Sequence, residues 1–183
     1  LFAAFPLVYS TVLSALYMPV ILMVIALIFR GVAFEFRFKA HRTKHFWDKA
    51  FIGGSILASF FQGIILGAYI QGIETTHGIY SGGGLDWLTP FSIFTGIGVI
   101  VLYATLGCGW LIFKTEADLQ NKMYSLMPKM MLALLIIFAG VSIYTPLAHP
   151  EIAQRWFSLP QLIYFSPVPI LVLVFSFLAF RAC

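Results

Sequence analysis

An all-α, polytopic transmembrane bundle is the fold class this chain predicts, and three observations predict it. Long uncharged runs, the first covering Leu1 to Phe29, alternate with short polar intervals. The residues are 61% hydrophobic and 10% charged, with mean hydropathy +0.95, more apolar surface than a water-soluble globule of this size can bury. The basic residues are also unevenly placed. Arg30, Arg37, Lys39, Arg42, Lys44 and Lys49 share one polar interval, Lys114, Lys122 and Lys129 the next but one, and Arg181 follows the last run. The intervening intervals, Glu74 to Asp86 and His149 to Arg155, contain Arg155 alone. Basic loops face the cytoplasm, so loops 36–48 and 114–129 are expected there and loops 74–89 and 147–161 on the outer side. Barrel strands of period two are absent, which leaves helices as the spanning structure.

The elements follow in order. As one helix, Leu1 to Phe29 would be about 43 Å long, against a hydrocarbon core of about 30 Å. A split near Ser10 and Thr11 is therefore expected: residues 1–9 end an earlier span, and a full span covers about 10–34 with a kink at Pro19. The second full span, about 49–73, carries Ser59, Gly63 and Gly67, a small residue every fourth position that lets a neighbouring helix approach closely. Thr89 as N-cap and Pro90 at the first helical position start the third, about 90–113. Gly96, Gly98, Gly107 and Gly109 favour close packing along it. Lys114 to Lys129 reads as a short cytoplasmic segment, compatible with a helix, with Thr115 and Asp118 at capping-box spacing. The fourth and fifth full spans are about 130–146 and 162–180. Trp47, Trp87, Trp110 and Trp156 fall near the expected interfaces, as an aromatic belt would place them. Residues 1–183 are expected to form a single transmembrane domain, a fragment of a longer subunit, because the chain starts and stops inside apolar runs without an initiating Met.

The formal charge of +4 is juxtamembrane, so it indicates no nucleic-acid partner and fits contact with membrane lipids. Cys108 and Cys183 make neither a disulfide framework nor a metal site. No His falls in a predicted span, and a haem bundle needs axial ligands at membrane depth. Met18, Met23, Met130 and Met131 read as packing residues, so the chain is expected to bind no haem or metal itself. His41 and His45 stand four apart, but Arg42 and Lys44 interleave them in a solvated loop, which argues against a metal site. Gln62 and Gln71 read as interhelical hydrogen-bonding groups, and Glu74 as a solvated loop carboxylate. His77 and His149 lie in the outer loops. The run Gly82-Gly83-Gly84 lacks the preceding strand and following Lys of a phosphate-binding loop.

Arg30 to Arg37 (RGVAFEFR) is the most distinctive stretch. Arg30 and Arg37 can snorkel to the interface with Glu35 as a solvated companion. Alternatively the helix continues through the stretch, and Arg30 and Glu35 then need partners in each other or on neighbouring helices. Arg30, Glu35 and Arg37 are accordingly the candidate buried-charge or proton-path residues.

At RGVAFEFR the sequence resembles subunit II of the cytochrome bd-type quinol oxidases, more narrowly the short, cyanide-insensitive branch. The stretches LFAAFP with Val8-Tyr9, then Gln71-Gly72, Asp86-Trp87-Leu88-Thr89-Pro90-Phe91 and WLIFKTE (Trp110 to Glu116) carry the likeness in the family's order. Each is short, and their order and spacing supply the specificity. The resemblance implies about half of a full-length member, from the end of its second helix to its seventh. It implies a non-catalytic subunit of a heterodimeric quinol:dioxygen oxidoreductase in the prokaryotic cytoplasmic membrane, which oxidises quinol, reduces dioxygen to water and takes protons from the cytoplasm. Haem b and haem d would belong to the partner, subunit I. This subunit would support haem assembly and a proton or oxygen route, with a quinone or lipid as a further ligand. Arg30 would neutralise an acid that lies upstream of Leu1 in the family. The competing reading is a secondary transporter or channel subunit. Its usual marks, broken helices around a midplane site and inverted repeats, are limited here to Pro19.

Overall fold

The computed structural model describes residues 3–76, 79–159, 164 and 166–182. Leu1, Phe2, His77, the expected start of the fifth span at Leu162, and Cys183 lie outside those residues. The elements are α1 (Pro6–Lys39), α2 (Lys44–Gln71), β1 (Thr75–Thr76), β2 (Ile79–Tyr80), α3 (Pro90–Lys114), α4 (Ala117–Ala148), α5 (Pro150–Phe157) and α6 (Pro167–Ala182). The two strands form a two-residue antiparallel ladder, Thr75 opposite Tyr80 and Thr76 opposite Ile79. Among the described residues every other regular element is a helix, and α1 to α4 are long and apolar enough to cross a membrane.

The span count differs from expectation. Pro6 opens α1 at its first turn, and the helix continues for 34 residues, so residues 6–9 are not the tail of a separate span. Ser10 and Thr11 do not break the helix because their hydroxyls donate back to the Leu7 carbonyl, at 2.9 and 2.8 Å, and are satisfied within it. The departure from helical geometry comes instead at Leu16 (φ −110°, ψ 15°). That is one turn before Pro19, whose ring crowds the carbonyl four residues back and whose nitrogen has no hydrogen to donate. The basic interval is shorter than expected too: α1 runs to Lys39 and α2 begins at Lys44, leaving four residues between them.

α3 begins at Pro90 and ends within one residue of the expected boundary. Thr89 and Ser92 cap it reciprocally: the Ser92 amide donates to Thr89 Oγ1 at 3.0 Å and the Thr89 amide to Ser92 Oγ at 2.9 Å, a capping box with serine in the usual Glu or Gln position. The box expected at Thr115 does not form, since that hydroxyl donates to the Leu111 carbonyl at 2.7 Å. Nor is Lys114–Lys129 a separate segment. α4 is one 32-residue helix containing Pro128 and Pro146. α6 has 16 residues, about 24 Å at 1.5 Å per residue, short of the hydrocarbon thickness. Among the described residues there are thus four helices long enough to span and one shorter apolar helix, against the five full spans and partial sixth expected.

The chain divides into two compact units, Leu1–Ile100 and Val101–Cys183. In the first, α1 and α2 pack side by side along their length, and the core is built from Ala15, Leu16, Ile64, Ala68 and Trp87. Large apolar side chains such as Ile21, Val24, Ile28, Ile56 and Leu66 are exposed, the arrangement expected when lipid rather than water surrounds the helices. In the second unit, the Cys108 thiol contacts the Met123 carbonyl at 3.4 Å, and Gln120 Nε2 donates to the Ile112 carbonyl at 2.9 Å, joining α3 to α4. Cys108 is a buried packing residue.

Candidate functional site

Two groups of polar residues lie at opposite ends of α2. The first is the basic end. Arg30 is exposed, and its guanidinium carbon stands 5.8 Å from the centre of the Phe51 ring, a cation–π contact. Glu35 pairs with Lys39 at 3.3 Å, one helical turn away. Arg37 pairs with Asp48, tying the end of α1 to the start of α2. These are the ion pairs among the described residues, so Arg30 and Glu35 are not brought together. All four paired side chains are more than a third exposed, which limits each pair to a small, salt-sensitive contribution. Phe36 and Trp47, 5.1 Å apart, cover the same turn with aromatic surface.

The helix seam below is made by small residues. A Cβ added at Gly63 would lie 2.6 Å from both Gly96 Cα and the Thr95 carbonyl oxygen, and one at Gly67 would meet Thr95 Oγ1. Thr95 Oγ1 lies 2.9 Å from the Gly63 carbonyl, across the seam. Gly63 and Gly67 therefore set how closely α3 approaches. Ser59 does not: half-buried, it donates back to the Ser55 carbonyl at 3.0 Å. Gly54 was missed. A Cβ there would lie 2.7 Å from the Ala26 carbonyl and 3.0 Å from the Arg30 nitrogen, so it governs the α1–α2 contact. The pair Gly54 and Ala58, four apart, was the available signal. Gly107 faces open space, and a Cβ on Gly109 would make only ordinary contact with Met127.

The second group surrounds a cavity of about 350 Å³ where α2 ends. Gly72, with φ +88°, turns the chain out of the helix in a region that favours glycine. The loop then folds back, the Ser81 amide donating to the Glu74 carbonyl at 3.3 Å. Asp86 organises the glycine run. Its Oδ2 accepts from the Gly83 amide at 2.5 Å and lies 3.0 Å from the Tyr80 hydroxyl, which also reaches the Gly83 carbonyl at 2.7 Å. A Cβ on Gly82 would collide with that carboxylate and with the Tyr80 hydroxyl. Trp87 Nε1 donates to the Gly84 carbonyl at 2.9 Å.

Trp87 is buried in the core rather than anchored at an interface, whereas Trp110 is exposed as expected. Gln71 does make the expected interhelical bond, its Oε1 accepting from the Thr89 hydroxyl. Burial, then the hydrogen bond and charge of Asp86, and then the charge of Glu74, hold the Tyr80 phenol above its ordinary range, so it stays a neutral donor. Gln71, Glu74, Tyr80, Asp86 and Thr89 give the cavity its polar lining, and Leu16 and Ala68 an apolar wall.

Of the methionines considered as ligands, Met18 is exposed and Met131 buried in packing. Among the described residues no three His, Cys, Asp or Glu side chains converge as a metal site.

Comparison with known proteins gives consistent matches. The family model described as "Cytochrome bd terminal oxidase subunit II" matches residues 1–183. The chain is 33% identical over 151 residues to the cytochrome bd ubiquinol oxidase subunit 2 of Bacillus subtilis, covering 79% of this chain and 44% of that protein. Identity is 29% over 154 residues with a probable cytochrome oxidase subunit 2 of Haemophilus influenzae, covering 79% and 41%. It is 28% over 151 residues with the cytochrome bd-I ubiquinol oxidase subunit 2 of Escherichia coli, covering 79% and 40%. The chain thus spans less than half the length of the curated relatives it matches.

Proposed function

The chain belongs to the cytochrome bd terminal oxidase subunit II family, and from that premise we propose that it serves as the non-haem subunit of a quinol-oxidising, dioxygen-reducing complex in a prokaryotic cytoplasmic membrane. Its partner is a haem-bearing subunit I, which carries haem b and haem d and the catalytic chemistry. This chain contributes one transmembrane domain to the heterodimer and supports assembly of the haem subunit. The polar intervals 36–48 and 114–129 face the cytoplasm, and 74–89 and 147–161 the outer side. The observation that carries the reading is the match of the family model from end to end, on a chain whose four long helices suit a bilayer.

Within this role we assign the handling of charge to Arg30. Glu35 and Arg37 are engaged by Lys39 and Asp48, while Arg30 rests on the Phe51 ring and makes no ion pair among the described residues. A guanidinium at the end of an apolar run is stabilised by a carboxylate from another segment. We assign it the role of holding such a carboxylate ionised on a proton route from the cytoplasm, with Glu35 and Arg37 beside it. Replacing Arg30 with Gln in the intact complex should reduce oxygen uptake severalfold or deplete the haem d band of the reduced-minus-oxidised spectrum. Unchanged assembly, spectrum and uptake would contradict the assignment. A purified complex lacking haem b and haem d bands altogether would favour the transporter reading.

A further inference from the structure

Arg30 lies seven residues before Arg37, about 10 Å deeper along α1 and so further from the solvated turn. On α1 it shares a face with Ala26 and Ala33, four residues before it and three after, and both alanines are buried. The facing side of α2 carries Phe51, Gly54 and Ala58 at the same helical spacing, with Gly54 and Ala58 buried. A Cβ on Gly54 would lie 3.3 Å from Arg30 Cβ as well as 3.0 Å from the Arg30 nitrogen. The backbone of Arg30 is thus seated in the α1–α2 seam, while the residue as a whole remains exposed.

Phe51 meets the head of that side chain. Its ring centre is 5.8 Å from the guanidinium carbon and 6.5 Å from the ring centre of Phe34, one turn further along α1. The ring is therefore in contact with α1 at two successive turns. An aromatic ring attracts a cation through its π-electrons and takes the place of no carboxylate. Arg37 commits Nε to Asp48, whereas the donors of Arg30 meet no carboxylate among the described residues. A free arginine side chain samples many rotamers, and restricting them beforehand lowers the entropic cost of meeting an acceptor.

We propose that Phe51 is a positioning residue for Arg30, holding the guanidinium against α2 with its donors left for a carboxylate from another segment. This inference rests on the charge role assigned to Arg30 and adds the residue through which α2 enforces it. Gly54 supplies the close approach that brings the ring within reach.

The test is made in the intact complex, with the haem b and haem d bands confirming assembly of each variant. Phe51→Leu should lower oxygen uptake about two- to fivefold, the rate equivalent of one lost cation–π contact, and no further than Arg30→Gln does. Phe51→Tyr, which keeps the ring, should restore uptake. In the Arg30→Gln background Phe51→Leu should have no additional effect, because the two residues act as one unit. A ring that served packing alone would lower uptake equally in both backgrounds, and that result would overturn the proposal. Phe51→Met makes the same comparison where the leucine variant does not assemble. Lower uptake in Arg30→Gln with full uptake in Phe51→Leu would overturn the positioning and leave the charge role standing. Unchanged uptake in Arg30→Gln would overturn both.

Discussion

Arg37–Asp48 and Lys39–Glu35 sit in solvent at the turn joining α1 to α2, whereas at the far end of α2 the Asp86 carboxylate is wrapped by a glycine run, a tyrosine hydroxyl and a backbone amide. Charge is plentiful at the first end and loosely held. It is sparse at the second and built into the loop. A cluster of basic residues needs only water and headgroups to be satisfied, and so imposes little geometry. A carboxylate at a rim without cations must recruit donors from the backbone, and doing so shapes a cavity. The two ends are held in register by the glycine seam of α2, which makes that seam the most sensitive point of the unit.

The largest effect should therefore come from the seam. Gly63→Leu places carbon where backbone atoms of α3 already lie, and backbone cannot move aside as a flexible side chain would. A loss of about 3 kcal/mol or more in unfolding free energy is expected, read as a lower midpoint in detergent melts. Gly107→Ala faces open space and should be neutral or stabilising by up to about 1 kcal/mol from helix propensity. Equal damage from both would remove the distinction between seam and surface.

A moderate effect is expected at the cavity rim. The Tyr80 phenol has its folded-state pKa raised above the unfolded value of 10.0. Its contribution to loop stability is thus complete below pH 10 and is lost as pH rises through the folded value. Amide exchange at Gly83, corrected for its intrinsic base dependence, should accelerate in that window. Tyr80→Phe should abolish the acceleration, and Asp86→Asn should lower the phenol titration seen by ultraviolet absorption. A Tyr80 titrating at the ordinary value would break the contrast between the two ends.

The smallest effect belongs to the basic turn. Breaking Arg37–Asp48 by Arg37→Gln should cost under about 1 kcal/mol and less at high salt, because both side chains remain substantially solvated. A double-mutant cycle with Asp48→Asn measures it. A coupling of several kcal/mol would mean the turn is organised as tightly as the rim.

Much of the architecture was legible in residue order. Thr89-Pro90 marks the start of α3, and Gly63 and Gly67 mark the seam, because caps and small-residue spacing are local signals. The boundary near Ser10 and Thr11 was misplaced because hydroxyls that look like a break are satisfied by the Leu7 carbonyl inside a helix. The segment holding Lys122 and Lys129 reads as separate from the fourth span, yet α4 runs through both as one helix; a charged side chain does not by itself end a helix. Arg30, Glu35 and Arg37 were singled out by type, but Arg30 rests on the Phe51 ring of α2, Glu35 pairs with Lys39 one turn on in α1, and Arg37 pairs with Asp48 in the first turns of α2. The cavity was not legible at all. Glu74, Tyr80 and Asp86 are spread over thirteen residues of loop, and only the turn at Gly72 and the bonds of Asp86 bring them together.

The central claim is a membrane bundle whose basic turn and acidic rim lie on opposite faces of the bilayer. Single cysteines at Arg42 and Leu85 in the full-length protein, labelled in intact cells with a membrane-impermeant maleimide, test it directly. Leu85→Cys should label from outside, and Arg42→Cys only after the cells are opened. Labelling of both from the same side would contradict the account.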